Sequence, residues 1–128
     1  MKLMGIDYGR KKIGIAVSDE EGKRAFPYKV ISAKGALFEI KKICEEEKVE
    51  KIVLGKSIDR WGRPNPIMDE IEKFKAELER GLGIPVVYEP EEFTTQEAKK
   101  FQGRVRGIDA SSAAIILQGF LESQSIQD

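Results

Sequence analysis

Three acidic positions stand where elements begin or end. Asp7 closes the apolar run Leu3–Asp7, LMGID; Glu89, Glu91 and Glu92 follow the apolar run that begins at Ile84; Asp109 opens an Ala-rich stretch. An ionised acid at the end of a buried strand is costly unless it is paired or holds a cation. Two or three carboxylates converging at one edge would hold one or two Mg²⁺ or Mn²⁺ ions. Two such ions about 3.5–4 Å apart stabilise the attacking and leaving oxygens of an in-line phosphoryl displacement. The chain has no histidine. That excludes Ser-His-Asp and Cys-His mechanisms and His-ligated zinc, and leaves oxygen donors that suit Mg²⁺ or Mn²⁺. Each acid also has a plainer reading. Asp7 can bond the turn backbone, Glu91 can be a solvated loop acid, and Asp109 can be an ordinary N-cap. Together they mean more, because ligands gather at the carboxyl ends of parallel strands.

Cations stand near these acids. Arg10, Lys11 and Lys12 fill the turn after Asp7, and Arg104 and Arg106 lie between Gly103 and Gly107. Basic loops of this kind suit phosphate contact, although GRVRG reads equally as a structural turn. The one tryptophan, Trp61, sits between Arg60 and Arg63 in the Gly-, Pro- and Arg-rich loop Lys56–Pro66. It either packs on the core beneath that loop or offers a base a stacking platform flanked by arginines. Lys plus Arg and Asp plus Glu both number 22. Net charge therefore says nothing of nucleic acid, and only local distribution can.

The elements that must position these residues follow from pattern. At 128 residues the chain is expected to form one domain, residues 1–128. One cysteine, Cys44, gives no disulfide framework and fits a reducing cytoplasm, where Cys44 is a small core residue. No run approaches the roughly 20 apolar residues of a membrane span, and no signal peptide is evident. The stretch Lys2–Asp19 reads as a β-hairpin, with Leu3, Gly5 and Asp7 on one face and Met4, Ile6 and Tyr8 on the other. Gly5, Gly9 and Gly14 either supply turns or leave room for a close approach. Arg24–Ser32 is a third strand, at an edge or bulged because of Pro27.

Gly35–Lys48 has helical spacing at Leu37, Ile40, Ile43 and Cys44, and KIVLG at 51–55 is a buried parallel strand. Asn65 and Pro66 read as N-cap and first-turn residues of a helix running to about Arg80, with Ile67, Ile71, Phe74 and Leu78 buried. Gly81 and Gly83 end it, and Ile84–Glu89 is the next strand, joined by a right-handed crossover. A short helix is expected from near Thr95 to Gln102 or Gly103. The last helix, Asp109–Ser123, packs through Ala113, Leu117, Phe120 and Leu121, before a frayed tail at 124–128.

Four stretches resemble the YqgF (RuvX) family. GIDYGRKKIGIAVSD at 5–19 resembles the family's GIDxGxKRIGIAVSD. IVLG at 52–55 resembles IVVG. EEFTTQEA at 91–98 and IDASSAAIILQGFL at 108–121 resemble ERLTTxEA and VDAIAAAIILQDYL. The resemblance implies a ribonuclease H-like α/β fold: a five-stranded mixed sheet, three antiparallel strands then parallel ones, with helices on both faces. It implies Asp7, Glu91 and Asp109 as catalytic, metal-holding acids. It also implies processing of the 5′ end of precursor 16S ribosomal RNA or, alternatively, Holliday-junction resolution. Glu92 replaces the family's arginine and Pro90 its preceding acid, which either adds a carboxylate near the metals or weakens phosphate binding. Lys56-Ser57 replaces Leu-Pro and adds a cation.

The expected partner is precursor ribosomal RNA or branched DNA, with ribosomal particles in the first case. Lys56, Arg10, Lys11, Lys12, Arg104 and Arg106 are the expected contacts. The chain is a monomer or homodimer, and a symmetric junction favours a two-fold dimer. Two other classes compete. One is an actin- or sugar-kinase-type nucleotide-binding protein, for which one lobe is too little. The other is a non-catalytic RNA-binding module whose acids serve as caps.

Overall fold

The computed structural model describes residues 1–90 and 110–127. Its five strands are β1 (Leu3–Asp7), β2 (Lys12–Ser18), β3 (Ala25–Ser32), β4 (Lys51–Lys56) and β5 (Val86–Pro90); its helices are α1 (Ala36–Glu47), α2 (Met68–Leu82) and α3 (Ala110–Gln127). The strands form one sheet in the order β3-β2-β1-β4-β5. β1 pairs antiparallel with β2 and parallel with β4, β2 pairs antiparallel with β3, and β4 runs parallel to β5. This is the five-stranded mixed sheet that the family resemblance implies, and it contains the hairpin and the parallel crossover that the residue pattern predicts. The expected short helix after Thr95 and the loop 103–107 lie outside the described residues, as do Glu91, Glu92, Arg104, Arg106 and Asp109.

Period-two alternation sorts the strand residues between two cores. Met4, Ile6, Ile13, Ile15, Ile52, Leu54 and Val86 face α1 and α2, against Ile40, Ile43, Ile71, Phe74 and Leu78. Leu3, Ala16 and Val53 face α3, against Ala113, Ile116, Leu117 and Leu121. The central β1 is buried along its whole length, on both faces. Where α3 crosses β1 it sits directly on Gly5. A Cβ on Gly5 would stand 2.7 Å from the Ala113 carbonyl oxygen and 2.7 Å from Leu117 Cβ. The room at Gly5 is therefore filled by the helix itself.

The edge strand β3 is both an edge and bulged. Ile15 pairs with Lys29 and Ala16 with Pro27, so Tyr28 is the extra residue. Proline lacks the N–H a ladder requires, and the bulge beside Pro27 suits that lack.

Element ends differ from the sequence expectation in four places. Asn65 does not cap α2 with its side chain: the helix starts at Met68 with Ile67 in the capping position. Instead the Asn65 side-chain amide donates to Ser57 Oγ at 2.9 Å, tying the preceding loop shut. Gly81 lies inside α2, and Gly83 ends the helix in the left-handed region at φ +69°. The last strand starts at Val86 rather than Ile84. The C-terminal helix continues through Gln127 instead of fraying after Ser123.

Cys44 is a buried residue of α1, and burial pushes its thiol up to about 11 from an ordinary 9.0. The folded chain thus holds the thiol proton where the unfolded chain releases it. The stability tied to this group is complete below pH 9 and lost as pH rises through about 11. The loss amounts to at most about 2–3 kcal/mol. Urea unfolding at pH 8 and pH 11 should show a steeper decline for the parent than for Cys44→Ala, since other alkaline titrations are common to both.

Candidate active site

Asp7 sits at the carboxyl end of the central strand and is 6% exposed. It shares the α3-facing side with Leu3 and Gly5 by strand alternation. One residue past the Ile6–Leu54 pair, Asp7 comes level with Gly55 of β4, and Gly55 pairs with Glu89 of β5. Asp7, Gly55 and Glu89 therefore form one row across three parallel strands, with strands spaced about 4.8 Å apart. Glu89 also faces α3, its Oε2 3.3 Å from where a Cβ on Gly119 would lie. Between the two acids stands a residue with no side chain. Burial raises the Glu89 carboxyl above its ordinary value.

The parallel pairings confirm one expectation. The carboxyl ends of β1, β4 and β5 do share an edge. Glu91 follows Pro90 directly and Asp109 precedes Ala110 directly in the chain; both lie outside the described residues. Among the described residues no group of three or more acids or cysteines is close enough to hold a metal. What the sequence did not disclose is Glu89's role in the row. The strand expected at Ile84–Glu89 already held Glu89 as its last residue, and the parity of Val87, which packs on the α3 side, is the signal that turns Glu89 toward that helix.

The cations divide. Lys11, in the turn beyond Asp7, and Lys12, the first residue of β2, are exposed. Arg10 is held by Glu70 of α2, Nε to Oε2 at 2.7 Å. Both partners are open to solvent, and such pairs contribute only about 0–1 kcal/mol, so Arg10 can exchange this carboxylate for a phosphate. Lys56, half-buried at the end of β4, lies over the Tyr88 ring at 5.9 Å, with Lys75 over the same ring at 5.6 Å. The Tyr88 hydroxyl is buried with no hydrogen-bond partner among the described residues. Desolvation by burial, then Glu72 and Glu79, raises its pKa.

Trp61 does not pack on the core. It is 69% exposed, with the Arg60 and Arg63 guanidinium groups 5.2 and 4.8 Å from the ring centroid. The reading that buried it under its loop is overturned. Ile58 and Pro64 bridge antiparallel, so the loop closes on itself as a small finger that carries the indole.

The family model described as "RuvX: Holliday junction resolvase" matches residues 1–123. The chain belongs to the RuvX family. A relative from Carboxydothermus hydrogenoformans, named "Putative pre-16S rRNA nuclease", is 37% identical, covering 98% of this chain and 99% of that protein. One from Syntrophomonas wolfei with the same name is 34% identical, covering 98% and 97%. Among solved structures, Thermus thermophilus RuvC superimposes with a TM-score of 0.66 at 15% identity, covering 98% of this chain and 96% of that one. The same protein in complex with a Holliday junction substrate gives 0.65 at 14% identity, again over 98% and 96%. At such identity the likeness shows the fold, which is ribonuclease H-like. In this RuvX chain the hairpin carries Asp7 and α3 sits on Gly5.

Proposed function

We propose that this RuvX chain is a divalent-metal-dependent endonuclease acting on structured nucleic acid, in the maturation of the 5′ end of precursor 16S ribosomal RNA. The observation that carries the reading is the buried Asp7 carboxylate at the shared carboxyl edge of three parallel strands. The names of relatives at 34–37% identity over nearly full length support the ribosomal substrate. The family model's own description supports Holliday-junction cleavage as the second reading.

Asp7, Glu91 and Asp109 would hold the metal. The donor set fits a hard divalent cation: every candidate is a carboxylate, and the sequence contains no histidine. Bound there, Mg²⁺ or Mn²⁺ would stabilise charge on the attacking and leaving oxygens of the phosphodiester. The chain's own contribution is position. Glu91 is one residue beyond β5 and Asp109 one residue before α3, so both are tethered to elements packed on β1 or its neighbours. Lys11 and Lys12, with Arg10 released from Glu70, would bind phosphates beside the cut. Lys56, Arg104 and Arg106 would extend that contact. The protein would work in the cytoplasm, where ribosomal precursors and chromosomal junctions are found; no helix among the described residues is long and apolar enough to cross a membrane.

The test is direct. A precursor 16S leader and a four-way DNA junction are incubated side by side with the protein in Mg²⁺, Mn²⁺ or chelator. The expected result is metal-dependent cleavage of the RNA leader, absent in chelator. Cleavage confined to the junction moves the assignment to the second reading. Cleavage of neither, with tight RNA binding, makes the chain a non-catalytic RNA-binding module.

A further inference from the structure

The loop after β4 is more ordered than its composition suggests. Ile58 bridges Pro64, Asp59 N–H donates to the Arg63 carbonyl at 2.8 Å, and Gly62 N–H donates to the Asp59 carbonyl at 2.9 Å. The Asp59 Oδ1 accepts the N–H groups of Trp61 and Arg63, both at 2.9 Å, and its Oδ2 accepts Arg63 Nε at 3.0 Å. The Arg63 N–H is the largest cause that holds the Asp59 carboxyl below its ordinary range. At the base Asn65 closes the finger on Ser57 through backbone and side chain. A short, cross-braced finger thus lifts the one tryptophan into solvent.

Its two arginines are not equivalent. Arg63 is pinned by Asp59 while its guanidinium lies against the indole. Arg60 also lies against the indole but has no ion-pair partner among the described residues. An exposed cation–π contact contributes only about 0.5–1 kcal/mol, whereas stacking a base on an aromatic ring contributes about 1–3 kcal/mol. A base can therefore take the place of Arg60 on the ring, and the released guanidinium then meets the adjoining phosphate. The finger rises from the carboxyl end of β4, the edge that carries Asp7 on the adjacent β1. Trp61 lies five residue steps along the chain from Lys56, a span of at most about 18 Å.

We propose that this finger is a substrate-gripping subsite: Trp61 stacks on an unpaired base of the nucleic-acid strand and Arg60 neutralises the neighbouring phosphate, with Arg63 bracing the indole from its bond to Asp59. The proposal rests on the nuclease reading for its location and names the feature recognised, an unpaired nucleotide beside the cleavage edge.

Trp61 is the only tryptophan in the chain, so its emission reports the contact without a label. The full chain is titrated in chelator, which prevents turnover, with a single-stranded RNA, a single-stranded DNA and a blunt duplex of equal length. Anisotropy of a labelled strand reads binding independently. Quenching by the single strands and not by the duplex is the expected result, and the ratio of the RNA to the DNA affinity identifies the preferred source. Trp61→Ala should weaken single-strand binding by roughly ten- to hundredfold, with Trp61→Phe retaining most of the affinity. Arg60→Gln should weaken it less and lower the slope of log affinity against log salt by about 0.7.

Unchanged emission with a bound strand overturns the subsite, as does equal quenching by the duplex, Trp61→Ala binding like the parent, or no binding to any strand. Failure of the parent to cleave in Mg²⁺ would instead sink the nuclease reading, and this titration contains no cleavage step.

Discussion

Asp7→Asn should leave the fold intact and abolish cleavage. Asparagine keeps the size and shape of aspartate, so the end of β1 should stay packed. What it removes is the charge that would hold a divalent ion at the carboxyl edge. A group needed mainly as charge builds in the transition state should cost about 10³-fold or more in kcat. The variant has a second readout that does not depend on turnover. A ligand that binds only the native state raises stability by about 2.7 kcal/mol at a concentration a hundredfold above its Kd. Mg²⁺ should therefore shift the urea midpoint of the parent and leave that of Asp7→Asn nearly still. Parent-like cleavage by the variant would end the assignment of Asp7. A variant that still gains stability from Mg²⁺ would place the ion elsewhere.

The architecture was legible because its signals are local and mutually consistent. The apolar runs LMGID and IGIAVSD about a Gly-bearing turn announced a hairpin, and Pro27 announced an edge or a bulge; β3 is both, with Tyr28 the extra residue. Asp7 stands out for a related reason: an ionised acid closing an apolar strand is costly unless it is paired or holds a cation, and a bond to the turn backbone answers that cost as a metal does. Other features depended on contacts distant in sequence. Asn65 carries a capping residue's chemistry, but Ser57 lies within reach and takes its amide. Trp61 reads from sequence either as core or as a stacking platform, and its finger, braced by Asp59, holds it exposed with two guanidinium groups over the indole. Glu89 reads only as the last residue of a strand, next to a run of acids. Only the register of β4 against β5 sets it level with Gly55 and hence in the row with Asp7. Register is a pairing between strands, and no single stretch of sequence contains it.

Gly5→Ala should couple stability to catalysis in one methyl group. The added Cβ would stand 2.7 Å from both the Ala113 carbonyl oxygen and Leu117 Cβ. Neither obstacle can be trimmed, because one is backbone and the other is a Cβ that every residue but glycine carries. The helix must move, and α3 is the element that follows Asp109 in the chain. Overpacking of this kind costs about 1–3 kcal/mol, which urea unfolding would read directly. A displacement near 1 Å of a positioned group can cost about 10²-fold in rate. Gly5→Ala should accordingly lower kcat by ten- to hundredfold at temperatures where the protein remains folded. Gly81→Ala is the matched control. That glycine lies in α2, where a Cβ would meet Leu37 side-chain atoms at 3.4 Å, an ordinary contact. There the change should stabilise by up to about 1 kcal/mol through helix propensity and leave kcat alone. If Gly5→Ala lost stability yet cut at the parental rate, α3 would be a structural prop, and the acid at its head would have no part in the chemistry.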